Sequence, residues 1–413
     1  MTQPDTAAAN EVPTPTLPLP QWELVTLVAA LMSLNALAID IMLPALSNIS
    51  AFYDLQRAND QQLVIFAYIA GFGAPQLVFG PISDRYGRKG LLSICLVGYA
   101  IAGLACIMTN SFMTLLIARF IQGIFASGVR VIAVSIVRDL LAGRAMARIM
   151  SLVMTVFMVV PILAPTIGAG VMLFAPWQWT FGLLSVAAIL NLIWIQLRLP
   201  ETLPEKDRQP LNPQQTGRAY WQVLRTRITF GYMCASGVIF GAPFAFVAAS
   251  EQIFPDVFEQ HNTFALWFAG VAAALAAANF LNSRIVEKYG MRRISHTVLV
   301  LFIALALTNV ITLYTVGEKL WLFYPLFCLT FGCFGMLGAN FTALAMEPQG
   351  KIAGTASAAY GFASTTVSSF IGYLVAGQFN GTIAPFMWGF VALGVSSLTI
   401  IFVTERFKLF QTR

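Results

Sequence analysis

The chain predicts an all-α integral membrane protein with 12 transmembrane helices arranged as two pseudo-symmetric six-helix bundles. Three observations lead there. Of its 413 residues, 58% are hydrophobic and 10% charged, where soluble domains carry roughly 25% charged residues. The apolar residues come in blocks of about 20, the length of a helix that crosses a ~30 Å hydrocarbon core; they do not form the alternating ten-residue strands of an outer-membrane barrel. The longest polar interruption, from about Pro200 to Arg227, divides the blocks into six and six.

The elements follow in order. Residues 1–22 open with "MTQPDTAAANEVPTPTLPLP", rich in Pro, Thr and Ala and without Lys or Arg. A signal peptide needs a basic start and a short apolar region, so this segment reads as a disordered tail. Apolar blocks between polar breaks place six spans at about 24–48, 60–80, 90–109, 111–137, 147–174 and 178–198. Six more lie at about 228–249, 262–283, 292–316, 319–343, 353–378 and 383–403. The expected organisation is a bundle over 23–199, a linker over 200–227, a bundle over 228–404 and a tail over 405–413.

Charge sets the orientation. With the N-terminus inside, 20 of the 24 Lys and Arg residues fall in inner loops and tails, Lys351 among them; Arg57 and Lys319 fall in outer loops, and Arg119 and Arg130 within span four. Both termini are therefore expected in the cytoplasm, and the net charge of +6 reads as topology, not nucleic-acid binding. The five cysteines lie inside apolar blocks without metal-site spacing. His261 and His296 stand alone, in loops or at span ends. No metal site, no Ser/His/Asp hydrolase and no cofactor is expected. An enzyme or sensor would need a catalytic cluster or a sizeable soluble domain, and the longest loop has only about 28 residues.

The halves echo each other. "FGPISDRYGRKG" (Phe79–Gly90) follows span two and "NSRIVEKYGMRR" (Asn282–Arg293) follows span eight. Aligning Tyr86 with Tyr289 places Gly87 on Gly290 and Asp84 on Glu287. Two related six-helix units with a substrate site between them suit a secondary transporter. One acid, Asp40, sits clearly within a span; Glu251, Glu347 and Glu405 read as at or beyond span ends. An acid costs about 2.5–3.5 kcal/mol at a span centre, so Asp40 is not expected to face lipid. It either holds span one to a neighbour through permanent hydrogen bonds or takes up and releases a proton during transport.

Several stretches resemble the major facilitator superfamily. "GPISDRYGRK" (Gly80–Lys89) resembles its signature between spans two and three. "RFIQGIFASG" (Arg119–Gly128) is similar to the span-four signature of its drug:proton antiporters, and "PILAPTIGAG" (Pro161–Gly170) to their span-five motif. Asp40 with Pro44 resembles the span-one pair of that group. "LPETLPEKDRQPL" and "EPQGKIAGTASAAYG" resemble its Bcr/CflA drug-efflux branch. The resemblance implies the major facilitator fold and proton coupling through Asp40, with Arg119 buried, organising the cavity's hydrogen bonds and acting on Asp40 electrostatically. The plain alternative for Arg119 is snorkelling to the outer interface. Gating falls to Gly80, Asp84, Arg85, Gly87, Arg88 and Lys89. Arg130, on nearly the same helix face as Arg119, either pairs with Asp84 or is an ordinary positive-inside arginine. Pro161, Pro165, Gly168 and Gly170 are either a packed kink or a tight contact between bundles that limits proton leak. In the second-half copy, Ser283 replaces Gly80 and Met291 replaces Arg88, which weakens the expectation of equal gating there.

Met32, Asn35, Tyr68, Gln76 and Gln122 are the candidate cavity walls. An apolar pocket with few polar groups suits amphipathic drugs, and a single membrane acid favours neutral or zwitterionic ones. The expected protein is a monomeric, multi-pass exporter in the bacterial cytoplasmic (inner) membrane. It exchanges small amphipathic molecules, such as antibiotics, for protons by alternating access, with the proton gradient as energy source. The alternative is an exporter of an amino acid, sugar or siderophore on the same scaffold.

Overall fold

A computed structural model describes residues 19–57, 59–141, 143–208, 210–260, 263–349 and 353–410. His261, Lys351, most of the N-terminal tail and the side chain of Arg144 lie outside the described set. Every regular element among the described residues is helical. The first half comprises α1 (Gln21–Asp40), α2 (Leu46–Phe52), α3 (Leu63–Gly73), α4 (Gln76–Tyr86), α5 (Arg88–Ile107), α6 (Phe112–Leu140), α7 (Gly143–Phe174) and α8 (Trp179–Arg198). A linker helix, α9 (Pro213–Arg225), precedes α10 (Arg227–Ile239), α11 (Gly241–Gln252), α12 (Phe264–Tyr289), α13 (Met291–Thr315), α14 (Leu320–Met346), α15 (Ala353–Phe362), α16 (Ser368–Ala376) and α17 (Ala384–Thr404).

Among the described residues, ten helical runs are long and apolar enough to cross a membrane, with α1–α2 and α10–α11 each counted as one; the α3–α4 pair, bent by 44°, makes an eleventh. The twelfth expected span corresponds to α15, a π turn at Ala363–Val367 and α16. It is helical but carries seven Ser and Thr residues and does not belong to the apolar set.

The breaks have local causes. Pro44 has no N–H for the Asp40 carbonyl, so α1 stops at Asp40 and a short turn at Leu43–Ala45 leads into α2. Pro75 interrupts the second span in the same way, between α3 and α4. The repeat read from the sequence is visible in the backbone. Gly87 (φ +94°) and Gly290 (φ +78°) each turn the chain into the next helix, a left-handed conformation that favours glycine.

Helices α1–α8 pack mainly on one another: α3 and α5 on α6, α5 on α8, and α1 on α7. Helices α10–α17 do likewise, with α12 and α13 on α14, α11 on α16, and α10 and α13 on α17. The two sets meet where α7 packs on α12, α4 on α15, α3 on α16, and α11 on the turn after α1. Within the first set, α3 and α6 interlock through two glycines. A Cβ on Gly123 would lie 2.9 Å from Phe72 N, and one on Gly71 2.8 Å from Phe120 C. That close approach brings Tyr68 of α3 up to Arg119 of α6.

The stretch expected as a plain linker contains a capped helix. Asn212 Oδ1 accepts from Gln215 N at 3.1 Å and Pro213 occupies the first turn of α9. Tyr220 on α9 donates to Leu77 O at 2.9 Å, docking the linker on α4.

Candidate functional site

Asp40 is the last residue of α1 and is 5% exposed. Among the described residues its carboxyl accepts no hydrogen bond and pairs with no cation. The wall beside it is backbone: a Cβ on Gly168 of α7 would lie 2.9 Å from the Ile41 carbonyl carbon and 3.2 Å from Pro44 Cγ. Helix α7 thus seats directly on the break in α1. Of the other three span-five residues, Pro161 and Pro165 lie within α7 without interrupting it, and Gly170 has nothing within 4 Å of its Cβ position. The contact of Gly168 is made inside the first half; α7 also packs on α12 of the second.

Arg119 is fully buried. It donates from Nε to Val64 O (3.2 Å), from Nη1 to Gln122 Oε1 (2.7 Å) and from Nη2 to Ala38 O (2.9 Å), with Met42 Sδ at 3.7 Å. Its carbon Cζ lies 4.4 Å from the Tyr68 ring centre and 5.5 Å from that of Phe181. Charge-assisted bonds contribute about 1.5–3 kcal/mol each, so three of them offset the ~2.5–3.5 kcal/mol of inserting the charge without an acidic partner. Snorkelling is ruled out for this arrangement. Arg119 grips Ala38 and Met42, two residues to either side of Asp40. Residues two apart do not share a helix face, so Arg119 bears on Asp40 through the backbone of α1 and forms no ion pair with it.

The loop after α4 is an ionic lattice. Arg88 pairs with Asp84 (2.6 Å) and Asp139 (2.7 Å) and also donates to Ser83. Arg138 lies 3.7 Å from Asp84. Glu201, just beyond α8, accepts from the backbone N–H groups of Arg88 (2.9 Å) and Lys89 (3.2 Å), closing the N-terminus of α5; Lys89 Nζ donates to Gln196 O. Arg85 is exposed. Of the two readings for Arg130, the Asp84 pair is absent from this arrangement: Asp84 is engaged by Arg88 and Arg138. Asp139, Arg138 and Glu201 were missed in the sequence, although the Asp84/Arg88 spacing of four was readable. In the second half, Arg292 does this work with Glu347 (2.7 Å) and Glu405 (3.1 Å). Tyr232 joins Glu405 to His296, which is buried near the start of α13.

A cavity of about 760 Å³ lies between the halves on the side of this loop. It is lined by Gln76, Gly80, Pro81 and Asp84 of α4, by Arg130–Arg138 on one face of α6, by residues between Pro210 and Tyr220, and by α14 and α15. Of the five expected wall residues only Gln76 reaches it, donating across the halves to Thr365 Oγ1 at 2.9 Å. Met32, Asn35, Tyr68 and Gln122 do not line it. Asn35 instead accepts from Tyr68 (3.0 Å), and Gln122 is held by Arg119. The wall is also more polar than the apolar pocket expected.

The opposite side is shut by a belt of amides. Gln62 donates to Gln252 Oε1 (2.7 Å), Gln252 to Asn59 Oδ1 (3.2 Å), and Asn59 to the carbonyls of Gly377 and Phe379 (both 3.1 Å). Gln61 donates to Glu251 Oε2 at 3.3 Å. Glu251, expected at or beyond a span end, is the last residue but one of α11 and is 8% exposed.

The Major Facilitator Superfamily model matches residues 28–373. The chain belongs to the Major Facilitator Superfamily. It is accordingly a multi-pass membrane transporter and not an enzyme. This facilitator is 32% identical over 388 residues to an uncharacterized MFS-type transporter, YdgK, of Bacillus subtilis, covering 92% of this chain and 94% of that one. It is 28% identical over 375 residues to a bicyclomycin resistance protein homolog of Haemophilus influenzae, covering 89% and 92%. A crystal structure of a D-xylose–proton symporter superposes with a TM-score of 0.76 at 15% identity, covering 95% and 98%, which bears on the fold alone.

Proposed function

We propose that this facilitator is a proton-coupled exporter of small amphipathic molecules, drugs such as antibiotics among them. It works by alternating access, as a monomer in the bacterial cytoplasmic membrane with both termini inside. The observation that carries the reading is Asp40: a buried carboxyl without a partner, at a helix break sealed by α7. A carboxyl fixed for structure would have donors around it; one that exchanges protons must be free to lose them. The drug assignment draws on the bicyclomycin resistance homolog, which is 28% identical.

With the basic loops inside, the 760 Å³ cavity faces the cytoplasm and the amide belt closes the outer side. Substrate entering from within competes with a proton for the region around Asp40, directly or through conformation. After outward release, protonation of Asp40 removes the cost of carrying a charge back. Each charge crossing 100 mV contributes ~2.3 kcal/mol, so export of a neutral molecule against one proton is electrogenic. The polar cavity wall favours one second reading, export of a metabolite on the same scaffold.

The test is substrate-induced proton release from purified protein, wild type against Asp40→Asn, over a panel of antibiotics and metabolites. Release by wild type that vanishes in the variant supports both ligand and coupling group. Equal release from the variant returns Asp40 to a structural role.

A further inference from the structure

The arginines lodged between helices differ in one respect. Arg119 is satisfied by three oxygens, Arg88 by two carboxylates and a hydroxyl, and Arg292 by two carboxylates. Arg130, in the middle of α6, lines the cavity yet makes no hydrogen bond or ion pair among the described residues. It sits over the face of Phe72, 5.6 Å from ring centre to Cζ. A guanidinium offers five N–H donors in a rigid fork that matches a carboxylate. Leaving such donors unmatched in a membrane protein's interior is costly, and here they border open space.

The rest of the lining does not supply the missing anion. Asp84 is the one acid lining this cavity among the described residues, and it is already held by Arg88 and Arg138. The neutral groups nearby have work of their own: Gln76 bonds Thr365 and Tyr360 bonds Ser236. Val131, Val134 and Phe240 add apolar wall. The cavity therefore presents an unpaired cationic fork at Arg130, with Arg138 also in the lining but engaged with Asp84 at 3.7 Å, beside a patch of apolar wall, in a volume within the range that holds drug-sized ligands.

The geometry points to Arg130 as an anion-binding subsite: the transported molecule carries a carboxylate, or a group of like shape and charge, that docks on its guanidinium while an apolar body lies along Val131, Val134 and Phe240. This deepens the exporter reading and rests on it. It also departs from the neutral or zwitterionic class that a single membrane acid suggests, because Arg130 adds a cation to the account.

The test uses full-length protein in lipid nanodiscs and three probes that share one aromatic body: 2-naphthylacetate, 2-naphthylacetamide and 2-(2-naphthyl)ethylammonium. Equilibrium binding is measured for wild type, Arg130→Gln and Arg130→Lys, with a thermal melt of each to confirm folding. Wild type is expected to bind the acetate at least tenfold tighter than the amide or the ammonium. Arg130→Gln brings the acetate down to the amide's affinity and leaves the amide unchanged, and Arg130→Lys retains part of the preference. Equal binding of acetate and amide by wild type overturns the subsite while leaving the exporter reading in place, and so does preference for the ammonium. A uniform loss of all three in a folded Arg130→Gln protein assigns Arg130 to cavity shape or gating and overturns it as well. If no probe binds while everted vesicles still export other compounds, the subsite fails alone. If nothing binds and nothing is exported, both readings fail.

Discussion

Gly168→Ala tests the contact on which the proposed coupling depends. The added methyl would sit 2.9 Å from the Ile41 carbonyl carbon, closer still to its oxygen, and 3.2 Å from Pro44 Cγ, against an ordinary contact of 3.4 Å or more. The obstructing atoms are backbone and a proline ring, which cannot swing aside. Helix α7 must withdraw from α1 by more than about 0.5 Å, an overpacking strain of about 1–3 kcal/mol. The melting temperature of the purified protein should fall by several degrees. The seam beside Asp40 should also admit water, so proteoliposomes holding a pH-sensitive dye should leak protons faster without substrate. Adding Asp40→Asn should restore the slow leak. Gly170→Ala, with nothing within 4 Å, is the matched control and should behave as wild type. A Gly168→Ala protein with unchanged melting and leak, or one indistinguishable from Gly170→Ala, would refute the reasoning.

Three further outcomes are expected. Arg119→Lys keeps the charge but cannot reach Val64 O, Gln122 Oε1 and Ala38 O together; each acceptor left buried and unmade costs about 1–3 kcal/mol, so thermal unfolding should show a loss of that order or more. Gln62→Ala removes its 2.7 Å bond to Gln252; at about 0.5–1.5 kcal/mol, spin-label distances across that face should show a two- to tenfold rise in the open population. Burial pushes the Tyr220 phenol up to about 12 from its usual 10. The neutral donor to Leu77 O, and the stability it carries, is therefore complete below about pH 10 and lost as pH rises through 12. Difference titration at 295 nm, wild type minus Tyr220→Phe, should show no phenolate from this residue at pH 10.

The long apolar helices were legible because hydrophobic length is a one-dimensional signal. The expected 178–198 became Trp179–Arg198 and 292–316 became Met291–Thr315. Their internal breaks were harder to read. Pro44 and Pro75 are visible in the sequence, but spans tolerate proline, and only packing decides whether the helix stops. Helix α9 was passed over as linker although Asn212–Pro213 is a readable start and Tyr220, Val223 and Leu224 share a face. At the site, Arg119 with Gln122 follows from a spacing of three. The amide belt could not be foreseen, since Gln62 and Gln252 stand 190 residues apart and no local pattern links them. Glu251 does stand at the end of α11, as its polar neighbours suggested; its burial against Gln61 of the other half was not legible, because those polar residues are the belt itself.

The kinds of bond within and between the halves differ in a way that bears on switching. Every ion pair among the described residues lies within one half or in the linker: Arg88 with Asp84 and Asp139, Arg138 with Asp84, Arg198 with Glu23, Arg208 with Glu205, and Arg292 with Glu347 and Glu405. The side-chain bonds described above that cross between halves are Gln62–Gln252, Asn59–Gln252, Asn59 to two carbonyls, Gln76–Thr365 and Gln61–Glu251. All but the last join neutral groups, worth about 0.5–1.5 kcal/mol each. Breaking a buried ion pair costs about 3–5 kcal/mol, so a few of those across the interface would trap one state. Neutral bonds leave the two arrangements within the few kcal/mol that a ligand or a proton can shift. In the proposed cycle the ion pairs keep each half rigid while the amides let the halves part. Placing one ion pair in the belt, as in Gln61→Arg opposite Glu251, should then slow transport without weakening substrate binding.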